Sequence, residues 1–203
     1  KQSLGQVETN QMQLENAVAS AKYALKAAQE NEALAAEQFG LARDAYEDLE
    51  DNLDDLKDNA DHMSKYAKQL ERVKKRYDEI KSAQTVTDAV AMTGISVPGD
   101  RDSVQKVADY YIYSMTGSAA GSEYDLGVMI STAKSQEETM RSSRSSLDGN
   151  KDQMRLSQFQ AAIGKETAKN NVYSAEDGLR LAQKMLEDYE LYTKAVVIAG
   201  ANY

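Results

Sequence analysis

The chain has 203 residues, of which 41% are apolar and 28% are charged, with a formal net charge of -9 and a single proline. This composition is typical of a soluble, mainly helical protein, and the negative charge argues against a nucleic-acid-binding surface because phosphate would be repelled. The sequence contains no cysteine, which excludes disulfide bonds and zinc–thiolate sites.

Apolar residues recur every seven positions through the first part of the chain, and a second row, beginning at Leu4, lies three residues before each of them. Rows that alternate at spacings of three and four residues are the a and d positions of a left-handed coiled coil. The pattern predicts one continuous helix and a first segment covering residues 1–81. The first row is Val7, Leu14, Ala21, Ala28, Ala35, Ala42, Leu49, Leu56, Met63, Leu70 and Tyr77.

The same spacing appears at the other end of the chain, and it predicts a second long helix in a segment covering residues 126–203. The second row of this helix, three residues on from the first, is mostly small or polar. We therefore expect the partner backbone to approach this row closely. Gly149, Gly164 and Gly178 also lie in this helix, where close backbone approach or bending flexibility would explain them. The first row is Leu126, Ala133, Met140, Leu147, Met154, Ala161, Ala168, Ala175, Ala182, Tyr189 and Val196.

The two first rows, here called the hairpin seam, match in side-chain size when the chain folds back on itself. With facing positions summing to about 203, small residues oppose small ones and large residues oppose large ones, and the acidic run at 44–61 opposes Arg141 and Arg144. The sequence therefore predicts an all-α fold. Its main feature is a long antiparallel helical hairpin, a coiled coil with an alanine-lined waist, carrying a small loop-rich helical appendage.

The appendage is expected at residues 82–125, where the seam is broken and turn formers cluster, among them Gly94, Gly117, Gly121 and Gly127. Two short helices are predicted, at about 85–93 and 103–116. About 40 residues cannot build an independent core. We expect the second short helix to pack on Tyr66, Val73 and Ile80 of the first long helix, as a local three-helix bundle.

Two groups of side chains are candidate interaction surfaces. The first is a tyrosine-rich contact patch on the appendage, because tyrosine is favoured at recognition surfaces. The second is a surplus of apolar side chains beside the seam of the second long helix, predicted to bind another copy or a partner helix. The patch is Tyr110, Tyr111, Tyr113 and Tyr124, and the apolar group is Leu156, Phe159, Ile163, Val172, Leu179 and Leu186.

No catalytic constellation is visible, and we expect neither an enzyme nor a cofactor or metal site. His62 is the only histidine, and it lies one helical turn after Asp58, where a solvated side chain is the simpler interpretation. The aspartates at 48–58 lack the glycine and the ligand alternation of a calcium loop. The longest apolar stretch, residues 195–201, is far shorter than a membrane span.

The appendage contains Val97-Pro98-Gly99-Asp100, and an amide-rich helix from Met154 to Tyr192 precedes the closing apolar stretch, Ala195 to Ala201. With the long polar first helix, this order of segments resembles the minor pilus subunits of bacterial type IV secretion and conjugation systems. The resemblance is architectural and spans most of the chain. The amide side chains are Gln158, Gln160, Asn170, Asn171 and Gln183.

The resemblance implies a structural and adhesive subunit that is exported to the periplasm and reaches the extracellular pilus tip. It also implies a homo-oligomer, a pentamer, that contacts other secretion-machine subunits and a recipient-cell surface. We expect no signal peptide within these 203 residues.

Two alternatives remain open from the residues alone. One is a helical pore-forming toxin that inserts segment 85–116, although Asp88, Asp100, Asp102 and Asp109 interrupt that segment. The other is a needle-tip protein of another secretion system or a phage structural component, in which the same helical-hairpin packing would serve.

Overall fold

The computed structural model describes residues 4–118 and 123–201, and every regular element within these two ranges is an α-helix. The helices are α1 (Leu4–Lys81), α2 (Val86–Thr93), α3 (Val104–Thr116) and α4 (Glu123–Ala201). The predicted fold class is confirmed: α1 packs against α4 as a helical hairpin, and α2 and α3 form the small appendage.

The largest difference between predicted and observed helix boundaries is at the start of the second long helix, and the two short helices each begin one residue later than predicted. The second long helix begins at Glu123 rather than at Leu126, so Gly127 lies inside α4 and not in a turn. Gly121 lies outside the described residues.

Contacts within the chain group into two compact units. The first unit combines Lys1–Asp48 with Lys151–Tyr203, and the second is Leu49–Asn150. Each unit contains a stretch of α1 and an antiparallel stretch of α4, and the second unit also contains α2 and α3.

In the first unit, the seam positions of α1 from Val7 to Ala42 are all at least half-buried, as are those of α4 from Met154 to Tyr189. The Tyr189 hydroxyl donates a hydrogen bond to the Val7 carbonyl at 3.2 Å, which fixes the antiparallel register. Val196 differs from the prediction because its side chain is 51% exposed.

The second row of α4 lies four residues on from the first row, not three as predicted. Val172 is buried and Leu179 and Leu186 are half-buried, whereas Asn171 and Gly178 of the predicted row are exposed. The physical reason is area: burying branched aliphatic side chains removes much more apolar surface from water than burying serine, asparagine or glycine. These three aliphatic residues therefore pack within the hairpin and are not part of an oligomer surface.

The glycines of α4 do not mark a close helix approach, so that interpretation is wrong. A Cβ atom added at Gly149, Gly164 or Gly178 would meet no heavy atom within 4 Å. Each glycine is exposed, and its cost to the helix, about 1 kcal/mol against alanine, has no packing compensation.

The core of the second unit is formed where the appendage meets the hairpin. α3 buries Val107, Ala108 and Ile112 completely, and they pack with Ile80 of α1. Val73 also packs against this cluster, whereas Tyr66 is exposed, so only part of the predicted third row contributes. The other buried members are Leu70, Tyr77, Ala89, Tyr111 and Leu126.

Local sequence signals determine where the short helices begin and end. The hydroxyls of Thr85 and Ser103 accept hydrogen bonds from the backbone N–H groups of Asp88 and Lys106, satisfying first-turn donors of α2 and α3. Both helices end at a glycine with left-handed φ, 68° at Gly94 and 71° at Gly117, a conformation that glycine adopts without a side-chain clash.

Salt bridges across the hairpin in the second unit agree with the charge pattern of the sequence. Arg141 contacts Asp61 at 3.1 Å, and Lys134 pairs with Glu71. Such exposed pairs contribute about 0–1 kcal/mol each. Their main effect is to favour one orientation and register of the two helices.

Replacing Ile112 by alanine tests the packing of the appendage on α1. Ile112→Ala removes a completely buried side chain and should lower the free energy of unfolding by about 2–5 kcal/mol. Met115→Ala, on the exposed side of the same helix, should change it by less than about 0.5 kcal/mol. Urea denaturation followed by tyrosine fluorescence measures both, and equal losses would contradict this packing.

A neighbouring pair of residues tests which row of α4 faces α1. Val172→Ala should lower the free energy of unfolding by about 2 kcal/mol, because two buried methyl groups are lost. Asn171→Ala removes an exposed amide and should leave stability equal or slightly higher, since alanine favours the helix. If the row that contains Asn171 faced α1 instead, urea denaturation would show that Asn171→Ala is less stable than Val172→Ala.

Candidate functional site

An open cleft of about 640 Å³ lies in the second unit, where α1, α3 and the first turn of α4 meet. Its lining combines two ammonium groups, two carboxylates, one amide and two phenol rings. These belong to Lys74, Tyr77 and Lys81 of α1, Gln105 and Asp109 of α3, and Glu123 and Tyr124 of α4.

Three side chains form a hydrogen-bonded floor for this cleft. The Gln105 amide nitrogen Nε2 donates to the Tyr77 hydroxyl at 2.9 Å and to Asp109 Oδ1 at 2.8 Å. The Tyr77 hydroxyl donates in turn to the same Asp109 oxygen at 3.4 Å. The polar groups of α1 and α3 are thereby held in fixed orientations.

Tyr77 anchors this floor from below, because its side chain is almost completely buried in the core of the second unit. Burial raises the pKa of the Tyr77 hydroxyl above its ordinary value of 10.0, and the Asp109 carboxylate acts in the same direction against the hydrogen bond from Gln105. The hydroxyl is therefore protonated at neutral pH and acts as a hydrogen-bond donor to Asp109.

Glu123 closes one side of the cleft by pairing with two lysines of α1. Its carboxylate lies 3.0 Å from the Lys81 ammonium and 3.6 Å from that of Lys74, and the Lys81 ammonium also lies 5.3 Å from the centre of the Tyr77 ring. The Lys81 hydrogen bond, followed by its charge, lowers the pKa of Glu123 below its ordinary value, and Lys74 adds to this effect. The same contact raises the pKa of Lys81.

The arrangement is suited to holding a small polar ligand. It presents donors and acceptors that are already oriented, beside an aromatic ring, in a volume within the range of ligand-binding clefts, about 300–1,000 Å³. Among the described residues, no group of three or more metal-ligating side chains is present. His62 and its neighbour Asp58, one turn earlier, lie outside the cleft on α1.

The predicted tyrosine patch is divided by the structure. Tyr111 is buried in the core of the second unit and is not available for contacts, because its side of α3 packs on α1. Tyr110 is half-buried beneath the Arg101 guanidinium, 5.3 Å from the ring centre, and 6.0 Å from the ring of Tyr113. Tyr113 and Tyr124 are exposed, and Tyr124 belongs to the cleft.

The predicted apolar surplus on α4 is reduced to three residues that α1 does not cover. Leu156, Phe159 and Ile163, here called the outer patch, are all exposed in the first unit. Their spacing of three and then four residues places them on one face of α4. This is the spacing with which a helix presents anchors to a partner.

The final turns of α4 carry further exposed apolar side chains, including Val197 and Ile198. These two residues line a shallow cavity of about 330 Å³ with Thr193 and Lys194. Within the described ranges, no helix combines the length and the apolar character needed to cross a bilayer.

Sequence reasoning identified Tyr124 but missed the other six residues of the cleft. They come from three helices that are far apart in the chain. Spacing alone offered a partial signal, because Lys74, Tyr77 and Lys81 share one face of α1 and Gln105 and Asp109 share one face of α3. Their convergence required knowledge of how α3 packs on α1.

The chain matches no family model, and neither a curated protein nor a solved structure is significantly similar to it.

Glu123→Gln tests whether the ion pairs of Glu123 with Lys81 and Lys74 stabilise the fold. The lowered pKa means that the carboxylate stabilises the fold above its unfolded-state pKa, near 4.5, and that this contribution is lost as pH falls through the lower folded-state value. The variant should therefore be less stable than the wild type at pH 7, with the difference shrinking below roughly pH 4.

Thermal denaturation across this pH range measures the difference between the two proteins. Glu176→Gln, at an exposed position of α4, is the control. If Glu123→Gln destabilised the protein equally at every pH, the lowered pKa of Glu123 in the folded state would be contradicted.

Proposed function

We propose that this chain is a non-enzymatic structural subunit of an extracellular assembly, with the hairpin providing the oligomerisation surface and the appendage making contacts. The proposal follows the architectural resemblance to pilus-tip and stalk subunits of type IV secretion systems, for which a pentameric ring is implied. The observation that carries it is the outer patch, a stripe of aliphatic and aromatic side chains exposed along α4.

The three residues of the outer patch are contiguous, which makes their exposure to water costly. Single exposed apolar residues are normal on a protein surface. Leu156, Phe159 and Ile163 follow one another within two helical turns, and burying each of them in an interface is worth about 1.5–3 kcal/mol. Another copy of the chain can cover this stripe, with the same stripe in a two-fold dimer or with a different surface in a closed ring such as a pentamer.

The exposed apolar residues of α1 have a different distribution. In the first unit, the large exposed apolar residues of α1 are Met12, Tyr23, Leu34 and Leu41, separated by 11, 11 and 7 positions, or about 16, 16 and 10 Å along the helix. They do not form a continuous stripe, and this favours α4 as the oligomerisation surface.

The packing of the appendage favours this proposal over a pore-forming function. Ala89, Val107, Ala108 and Ile112, the side chains that insertion of segment 85–116 would require, are completely buried in the core of the second unit. Releasing them would expose the apolar side of α1 that they cover, at a cost comparable to unfolding this core.

The test is a matched pair of substitutions at positions of equal exposure. Phe159 is 63% exposed on α4 and Leu41 is 65% exposed on α1. The wild-type protein should have the mass of a multimer in size-exclusion chromatography with light scattering. Phe159→Glu places a charge in the interface and should weaken association at least about tenfold.

Leu41→Glu should leave the mass unchanged, and circular dichroism should show that both variants stay helical. A monomeric wild-type protein at every concentration would overturn the proposal. So would a multimer that Leu41→Glu dissociates and Phe159→Glu does not.

A further inference from the structure

The polar atoms that remain available in the cleft are acceptors on one side and donors on the other. Gln105 Nε2 uses its two hydrogens in the bonds to Tyr77 and Asp109, so its amide oxygen Oε1 is not engaged there. Both hydrogen bonds to Asp109 end on Oδ1, which leaves Oδ2 outside the floor. Across the cleft, the ammonium groups of Lys74 and Lys81 carry three donors each, of which Lys74 uses one for Asp78 at 3.2 Å and Lys81 uses one for Glu123 at 3.0 Å.

The charge of the lining is balanced, which argues against an ionic ligand. The two lysines are matched by the carboxylates of Asp109 and Glu123 in the lining, and both ammonium groups already have partners. Lys74 pairs with Asp78 at 3.2 Å, and the Glu123 carboxylate lies 3.0 Å from Lys81 and 3.6 Å from Lys74. A phosphate would have to displace this carboxylate, and a cation would meet two ammonium groups. The remaining capacity is for neutral groups that both donate and accept hydrogen bonds, which is the chemistry of hydroxyls.

An aromatic platform stands beside these polar groups. The Tyr124 side chain is 78% exposed at the edge of the cleft, in the first turn of α4. An exposed phenol ring offers an apolar face to the C–H groups of a ligand and keeps its hydroxyl in water. A pyranose offers both an apolar face and hydrogen-bonding groups in one molecule, because C–H groups lie on one face of the ring and hydroxyls lie around its edge.

We propose that the cleft between α1, α3 and the start of α4 binds a neutral sugar, with Tyr124 stacking on the ring and Gln105 and Asp109 accepting from its hydroxyls. This deepens the proposed function and rests on it for biological meaning, since it gives the appendage a glycan as its contact. The binding chemistry itself does not depend on assembly.

Saturation-transfer difference NMR of the full chain tests the site, with the methyl glycosides of glucose, galactose, mannose and N-acetylglucosamine as probes at millimolar concentration. At least one glycoside should receive saturation. Tyr124→Ala and Gln105→Ala should each weaken its binding about tenfold, the effect of losing roughly 1.4 kcal/mol of contact energy.

Tyr23→Ala is the matched control, because Tyr23 is 76% exposed on α1 in the first unit and should have no effect. The proposal is overturned if none of the four glycosides receives saturation. It is also overturned if all three variants bind the glycoside as well as the wild type does, or if Tyr23→Ala also abolishes binding. Inorganic phosphate that binds at the cleft in place of the sugars overturns it as well.

Failure of this inference is distinguishable from failure of the proposed function. A multimer that binds no glycoside would remove the sugar site and leave the assembly role intact. A monomer that binds a glycoside through Tyr124 would do the opposite.

Discussion

Mutual burial of one narrow stripe on α1 and one on α4 is the contact on which the other features depend. Both helices are long and mostly polar, and isolated helices in water gain little from propensity alone. Their stability comes from the seam, where Ala168 and Val172 on α4 and Val18 on α1 are buried in the first unit. In the second unit the same seam brings the end of α1 beside the start of α4, and this juxtaposition creates both the core under the appendage and the cleft.

The second row of α4, four residues on from its seam positions, contains long polar side chains where an aliphatic residue would bury more area. Arg144 is half-buried and donates from Nε to the Leu53 carbonyl at 3.3 Å, and the Lys165 ammonium lies 5.1 Å from the centre of the Phe39 ring. Such side chains cover the seam with their methylene groups and keep the charged end near water. They reduce the stability available from burial, but they penalise shifted registers in which the charge would lack its partner.

The fold was predictable from the sequence where patterns of side-chain size were strong. The heptads of α1 and the turn-forming residues Gly94 and Gly117 predicted the helices and the hairpin to within a few residues. The second row of α4 was assigned to the wrong flank, because a rule of spacing treats both flanks alike and only the larger area of Val172 and its neighbours distinguishes them.

The candidate site was much less predictable than the fold. Tyr110, Tyr111 and Tyr113 lie within one turn of α3, so the rotation of the helix determines which of them point into the core. Tyr111 is buried and Tyr113 is exposed for this reason alone. The cleft depends on three helices meeting, and no spacing within one helix contains that information.

The two candidate surfaces belong to different units, and their chemistry differs accordingly. The outer patch is apolar and continuous, which suits a large partner that excludes water from the whole stripe. The cleft is small, open and balanced in charge, with hydrogen-bonding groups held in place by Tyr77, which suits a small hydroxylated ligand. In the proposed assembly role, the face that binds other copies cannot also be free to contact a target. The outer patch and the cleft share no residue, so each proposed role has its own set of side chains.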